Sequence, residues 1–255
     1  MCAGVLRPGN AAGAAGAEGV LRAIYTLIRS AFPGTIVRVR LDGGFATPAL
    51  LDYLDRIGVE YVVAMAENAV LARRAEPLMG DVRTAVTTTG TTAHVYGDTV
   101  YAARSWSRER RVIIKAEVVA LEGRAPRDNA RFVITNLTQS PQWIYETVYC
   151  QRGEIENRIK ELHHGLEIDR TSCTRFWANQ FRVLLTAAAY VLLQELRRHA
   201  ARTVYARAQV STLRERLLTI GVRVVASVRR FVLHLPQAYP DADAWHAIAR
   251  RLGAT

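Results

Sequence analysis

Apolar residues along this chain recur in two rhythms, and the switch between them marks its elements. Ala11 to Ala31 places Ala, Leu and Ile at helical spacing, and Pro33-Gly34 stops the pattern. Thr35 to Leu41 (TIVRVRL) alternates β-branched and basic residues, which predicts a strand. It runs straight into Asp42-Gly43-Gly44-Phe45. Thr47 is a natural N-cap and Pro48 a natural first helical residue, so a helix is expected through Ile57, ended by Gly58. Glu60 to Met65 (EYVVAM) reads as a second strand. Strand, helix and strand joined by short loops predict a parallel α/β sheet.

From about Val82 to Leu137 the rhythm changes. TAHVYGDTVYAARSW, RRVIIKAEVVAL and RFVITNL are β-rich and separated by turn residues, which predicts an antiparallel β insertion or extension. The helical period returns near Gln142 and runs to Gly165 as one helix or two abutting ones. Residues 176–199 form a strongly apolar helix, with Leu184, Leu185, Tyr190 and Leu193 expected among its buried positions. Two further helices are expected over roughly 209–219 and 241–252, with the basic, β-branched stretch VRVVASVRRFVLHL between them. There is no internal repeat.

Composition narrows the class. The 255 residues suffice for one large domain, or one with a subdomain inserted, and a hydrophobic content of 50% excludes a wholly disordered chain. The longest apolar run, Val183 to Leu193, is shorter than the ~20 residues that span a bilayer. The start, MCAGVLRPGN, has no long apolar stretch behind a basic one, so neither a secretory signal nor a membrane partner is expected. Cys2, Cys150 and Cys173 are odd in number and widely scattered, giving no disulfide framework and no zinc spacing. A reducing cytoplasm is the expected location, with Cys150 and Cys173 as small buried apolar groups. Trp106, Trp143, Trp177 and Trp245 read as packing residues, Asp52 and Asp55 as solvated helix positions, and His94, His199, His234 and His246 as isolated structural or surface residues.

Charge changes the picture more. The net charge is +11, and 32 of the 34 basic residues are Arg. From Arg170 onward there are 14 Arg against the four acids Glu195, Glu215, Asp241 and Asp243, whereas residues 1–169 are nearly balanced. A GC-rich genome explains Arg in place of Lys, but not the missing acids. Such a bias attracts a polyanion, and nucleic acid is the commonest one. Arg216, Arg223, Arg229 and Arg230 are the candidate contacts to backbone phosphates.

Two places invite chemistry. Asp42 stands at the carboxyl end of a sheet strand, where open α/β sheets place their ligands; it can equally cap the turn into the next helix. On a helix, Tyr149, Arg152 and Glu156 share one face at i, i+3 and i+7. A phenol, a guanidinium and a carboxylate there can hold a divalent metal and steer a phosphate. The same spacing also fits a solvated helix laced with Arg152–Glu156 and Glu156–Lys160 ion pairs.

The strand with LDGGF, the later Tyr149-x-x-Arg152-x-x-x-Glu156, and ENRIKEL with GLEIDRTSC and FWANQFRVLL resemble the DDE transposases of bacterial insertion sequences. The closest set is the transposase DDE domain group 1, in which the strand motif reads Arg-x-Asp-Ser-Gly-Phe where this chain has Arg40-Leu41-Asp42-Gly43-Gly44-Phe45. The resemblance implies a ribonuclease-H-like α/β core with an inserted antiparallel β subdomain and C-terminal helices. It implies DNA strand cleavage and strand transfer by Mg²⁺, with Mn²⁺ as a substitute, on double-stranded DNA at transposon ends, by a homodimer. It carries the second family carboxylate onto Asp42 and the third onto Glu156 as metal ligands, and the family's Tyr and Arg onto Tyr149 and Arg152. Where many relatives have Lys seven residues beyond the Glu, this chain has His163, with Lys160 one turn back as a compensating phosphate contact. The expected division is residues 1–81 as a partial core with Asp42, 82–140 as the β insertion, 141–200 as the region of Glu156 and the buried helix, and 201–255 as the basic C-terminal region. No Asp precedes Asp42, so the family's first carboxylate is expected to be missing through N-terminal truncation, leaving the chain inactive alone. The alternative is a catalytically dead DNA-binding remnant that occupies transposon ends or interferes with an intact transposase. The expected location is the bacterial cytoplasm, at the nucleoid.

Overall fold

A computed structural model describes residues 4–254, with the side chains at positions 152–154 outside the description. The chain divides into two compact units, Pro8–Gly153 and a second made of Glu154–Thr255 with Met1–Arg7.

The first unit is built on a six-stranded mixed sheet. β1 (Arg38–Leu41) pairs in parallel with β2 (Glu60–Met65), setting Arg38 opposite Glu60 and Leu41 opposite Val63. Helix α2 (Pro48–Arg56) makes the crossover between them, as the short loops require. Thr47 holds the extended N-cap place and Pro48 opens the helix, but the Thr47 hydroxyl makes no capping hydrogen bond. Helix α1 (Ala17–Ala31) begins later than its Ala-rich pattern suggests, because Gly16 takes a left-handed φ of 75° just before it.

The remaining strands are antiparallel: β3 (Ala93–Tyr101), β4 (Arg110–Val119), the short β5 (Arg127–Asp128) and β6 (Arg131–Thr135). The sheet order is β1-β2-β6-β4-β3, with β5 on β4. Where an inserted subdomain was expected, these strands continue the same sheet from the second edge of β2, where Val62 pairs with Thr135. Successive residues serve opposite faces. Tyr61, Val63, Val112, Ile114, Phe132 and Ile134 pack under α2 and the long helix α3 (Ala69–Thr89). Val62, Ile113 and Val133 pack on the other face against Leu137, Ile144, Tyr145 and Val148. Burial on both faces explains why β4 carries Val112, Ile113 and Ile114 in succession where a half-buried strand would alternate.

α3 occupies residues 82–89, where the sequence pattern starts a β region. The threonines that suggest a strand instead donate back to carbonyls four residues earlier, Thr84 to Gly80 (3.1 Å) and Thr88 to Thr84 (2.9 Å). The Asn68 side chain caps the helix by accepting from the N–H groups of Val70 and Leu71, and Gly90 ends it in the left-handed region.

Asp52 and Asp55 are not simply solvated. They hold the guanidinium of Arg110, whose side chain is 1% exposed, at 2.6 and 2.8 Å. Tyr61 donates its hydroxyl to Asp55 at 2.9 Å, and Ser107 donates to Asp52 at 2.5 Å. Burial, followed by the hydrogen bond to Asp55, pushes the Tyr61 phenol up. The Ser107 hydroxyl and then Arg110 hold the Asp52 carboxyl below the usual range.

Helical backbone runs from Pro141 to Gly165. α4 (Pro141–Trp143) widens to a π-turn at Ile144–Tyr149 and tightens to a 3₁₀ turn at Cys150–Arg152; α5 (Gly153–Lys160) then opens the second unit and ends in a π-turn at Glu161–Gly165. Its other elements are α6 (Phe176–His199), α7 (Val210–Leu213) with a π-turn to Leu218, the hairpin of β7 (Arg223–Ala226) and β8 (Phe231–His234), and α8 (Ala242–Arg251).

Leu162, Tyr190, Leu193, Val210, Leu213, Leu217 and Ile248 form the second unit's core. Leu184 and Leu185, expected to be buried, are 49% and 55% exposed. They lie off the stripe of Val183, Tyr190, Leu193 and Arg197 that α6 buries, of which Tyr190 and Leu193 belong to this core. By length and mean hydropathy α6 could cross a membrane, a test that core helices of soluble proteins also pass. Cys150 and Cys173 are exposed, against expectation. Trp177 is 78% exposed and Trp143 is 37% exposed, while Trp106 and Trp245 pack against the two cores.

Candidate catalytic carboxylates and nucleic-acid interface

Asp42 follows β1 directly. Its extended backbone (φ −83°, ψ 175°) turns into a single 3₁₀ turn, Gly43–Phe45, and Oδ1 accepts the N–H of Gly44 at 3.0 Å. The turn-capping role open to this residue in the sequence is therefore realised, through one carboxylate oxygen. Gly44 suits the close approach, since a Cβ there would stand 3.2 Å from Oδ1. The carboxylate is half-buried beyond the carboxyl end of a parallel strand pair, the place where such sheets hold ligands. Arg40, two residues back, donates to the Val148 carbonyl at 3.0 Å and so fixes the strand end to the helical segment before Tyr149. Tyr149 is half-buried, its ring 5.2 Å from that of Tyr145, against the Val62–Ile113–Val133 cluster.

The Arg152 side chain lies outside the described residues. Glu156 is exposed on α5, in the other unit from Asp42. The 3₁₀ turn at Cys150–Arg152 interrupts the uniform helical spacing on which the Tyr149, Arg152 and Glu156 face was drawn. Asp42 and Glu156 are hard oxygen donors, which suit Mg²⁺ or Mn²⁺ better than a soft metal. Among the described residues no group of three or more His, Cys, Asp or Glu side chains is gathered as metal ligands.

The predicted phosphate contacts separate. Lys160 is exposed at the end of α5 and lines a cleft with Arg158 and His164. His163 instead points its Nδ1 at Asp169, 3.2 Å away, and this contact draws the Asp169 carboxyl below its usual range. Arg216 is exposed, and its backbone carbonyl accepts the Tyr239 hydroxyl. Arg223, Arg229 and Arg230 lie on the exposed hairpin, Arg223 across from His234. Ser227 closes the hairpin turn, its N–H donating to the Arg230 carbonyl at 2.9 Å. That places Val228, fully exposed, and the two arginines at the tip.

The sequence reading missed a buried ion pair in this unit. Glu161 and Arg197 meet at 2.5 Å with side chains 8% and 10% exposed. Tyr190 donates to Glu161 at 3.1 Å and the Val210 N–H at 3.3 Å. Burial pushes the Glu161 carboxyl up, but the hydrogen bonds from Arg197 and Arg158 overcome it and hold the group below its ordinary value. The stability this group contributes is therefore present above its unfolded pKa, about 4.3, and is lost as pH falls through the lower folded value. Thirty-six residues separate the partners, so no local spacing signals the pair.

The sequence pattern of the family described as Transposase DDE domain group 1 matches residues 1–255. The chain belongs to this family of DDE transposases. No curated protein matches it. Membership fits the mixed α/β sheet and identifies DNA as the substrate, and the family works with divalent metal ions. It leaves the roles of Asp42, Tyr149, Arg152 and Glu156 to be argued from their chemistry.

Proposed function

We propose that this chain acts in the cutting and joining of DNA at the ends of a bacterial insertion sequence, with Asp42 and Glu156 as ligands to Mg²⁺. The observation that carries the reading is Asp42 beyond the carboxyl end of β1 in a chain matched by the family from residue 1 to 255. When bound, the metal supplies charge stabilisation at the reacting phosphate and activation of an attacking hydroxyl. The chain's own residues do the rest. Arg40 and the Gly43-Gly44 turn hold the Asp42 carboxylate in place. Glu156 presents a second carboxylate, and Tyr149 and Arg152 orient the phosphate oxygens.

The basic second unit grips the duplex through Arg216, Arg223, Arg229 and Arg230, with Lys160 as a further backbone contact; His163, its Nδ1 turned to Asp169, reaches a phosphate only through its other ring nitrogen. In this reading two protomers bring two transposon ends together in the bacterial cytoplasm. The basic surface also favours a second reading, a DNA-binding remnant that does not cut and that competes for transposon ends.

Duplex binding is the first test. Affinity is expected to fall steeply with salt, at a slope of about 0.9 per phosphate contacted. Arg229→Glu with Arg230→Glu should weaken binding at least tenfold, roughly equally on all sequences, as phosphate contacts do. Fluorescence anisotropy against salt concentration reads both effects. Absence of binding at low salt contradicts both readings; binding without metal-dependent cleavage by any frame of the protein leaves the remnant.

A further inference from the structure

Beside the Glu161–Arg197 pair the second unit opens a cleft of about 420 Å³ between the end of α5 and residues 207–211. That volume falls within the range of sites for small organic ligands, larger than a lone ion needs. Arg158, Lys160, His164 and Arg207 line it, together with the neutral Gln209 and Ser211. The one carboxylate in the lining, Glu161, is already committed to Arg197, Arg158, Tyr190 and the Val210 N–H. Among the described residues neither Lys160 nor Arg207 has a carboxylate within ion-pair distance. The charges of Lys160 and Arg207 are therefore not balanced by a carboxylate of the cleft, and its walls focus their field. A guanidinium, an ammonium and neutral hydroxyl and amide donors around one hollow match a tetrahedral oxyanion with several acceptor oxygens.

We infer that this cleft seats a backbone phosphate of the bound DNA strand, with Arg207 and Lys160 as its principal charges. The inference rests on the transposase reading and adds to it a binding site centred on Arg207, a residue with no motif to signal it. The buried ion pair gives the site its form. Arg197 neutralises Glu161 from behind, so the carboxylate tethers Arg158 and the 210 backbone without repelling an anion in front.

The test compares the wild type with Lys160→Gln, Arg207→Gln and the double variant, binding a fluorescently labelled duplex over a range of salt. Both side chains are exposed, so thermal melting is expected to be unchanged. The double variant is expected to lose about tenfold in affinity, and its salt slope to fall by about 0.9, the increment for one phosphate. NMR signals of the His164 ring are expected to move when duplex is added. An unchanged slope overturns the inference. So does a His164 ring that responds to inorganic phosphate but not to duplex, which would make this a site for free phosphate. A wild type that binds no duplex overturns the transposase reading as well, whereas duplex binding with unaltered variants overturns the cleft alone.

Discussion

Asp42→Asn and Glu156→Gln are each expected to abolish DNA strand cleavage, by more than about a hundredfold, since even groups that only support metal ligands cost 10–100-fold when removed. Both changes keep the shape of the side chain and remove its charge. Asp42→Asn retains an oxygen for the Gly44 N–H, so the turn at 43–45 should persist and the loss should not reflect misfolding. The check is cleavage of DNA carrying the element's terminal sequences, with Mg²⁺ or Mn²⁺. It is run on residues 1–255 and on the longest in-frame protein that contains them. Two dications a few ångströms apart repel strongly and need more than two carboxylates between them. A site with Asp42 and Glu156 as its sole ligands is therefore expected to cleave negligibly, and the variants are scored in whichever form of the protein cleaves. Robust Glu156-dependent cleavage by residues 1–255 would mean that another acid of this chain completes the metal site.

The second large effect is on stability. Arg110→Ala removes the cation between Asp52 and Asp55 and leaves Asp55, with a side chain only 11% exposed, facing the Tyr61 hydroxyl with only the exposed Arg108, 3.4 Å away, as counter-charge. Breaking a buried pair from one side typically costs about 3–5 kcal/mol. At roughly 3 kcal/mol, melting should fall by about 6–12 °C for a domain of this size. Asp55 is the member that pays, because Asp52 keeps 40% of its side chain in water. Arg110→Met combined with Asp55→Asn should recover part of the loss. A fall of under 1 °C in Arg110→Ala would show that solvent relieves Asp55.

The parts of the fold legible in the sequence are those with strong local signals. The β1–α2–β2 unit follows from TIVRVRL, Thr47-Pro48 and EYVVAM, and the structure pairs its strands in parallel. The helix 176–199 follows from its length and composition, and its end points agree. The strands around residues 93–101, 110–119 and 131–135 follow from β-branched runs, but their merging into one sheet does not. A strand's partner is set by the free edge of β2, which no local pattern encodes. The end of α3 escaped because a Thr-rich run has β propensity, whereas the packing of Met79, Val82 and Val86 on the core keeps it helical and the Thr hydroxyls bond back to carbonyls four residues earlier. The exposure of Leu184 and Leu185 shows the same limit: an apolar helix announces burial without saying which side is buried.

Of the proposed metal ligands, Asp42 is legible as a candidate because a strand, an acid and two glycines stand next to one another. Arg207, Arg158 and His164 are not legible, since the cleft joins residues more than forty positions apart. The split between His163 and His164 was equally hidden. Neighbouring histidines on a helix point apart, one toward Asp169 and the other into the cleft.

The assignment of the metal-binding carboxylates can be read directly by loading the protein with Fe²⁺ in place of Mg²⁺. With ascorbate and peroxide, the bound iron releases short-lived radicals that cut the polypeptide beside it. The account predicts fragments ending near Asp42 and near Glu156, both suppressed by excess Mg²⁺ and both lost in Asp42→Asn. Cuts confined to other segments, or a pattern unchanged by Asp42→Asn, would contradict it.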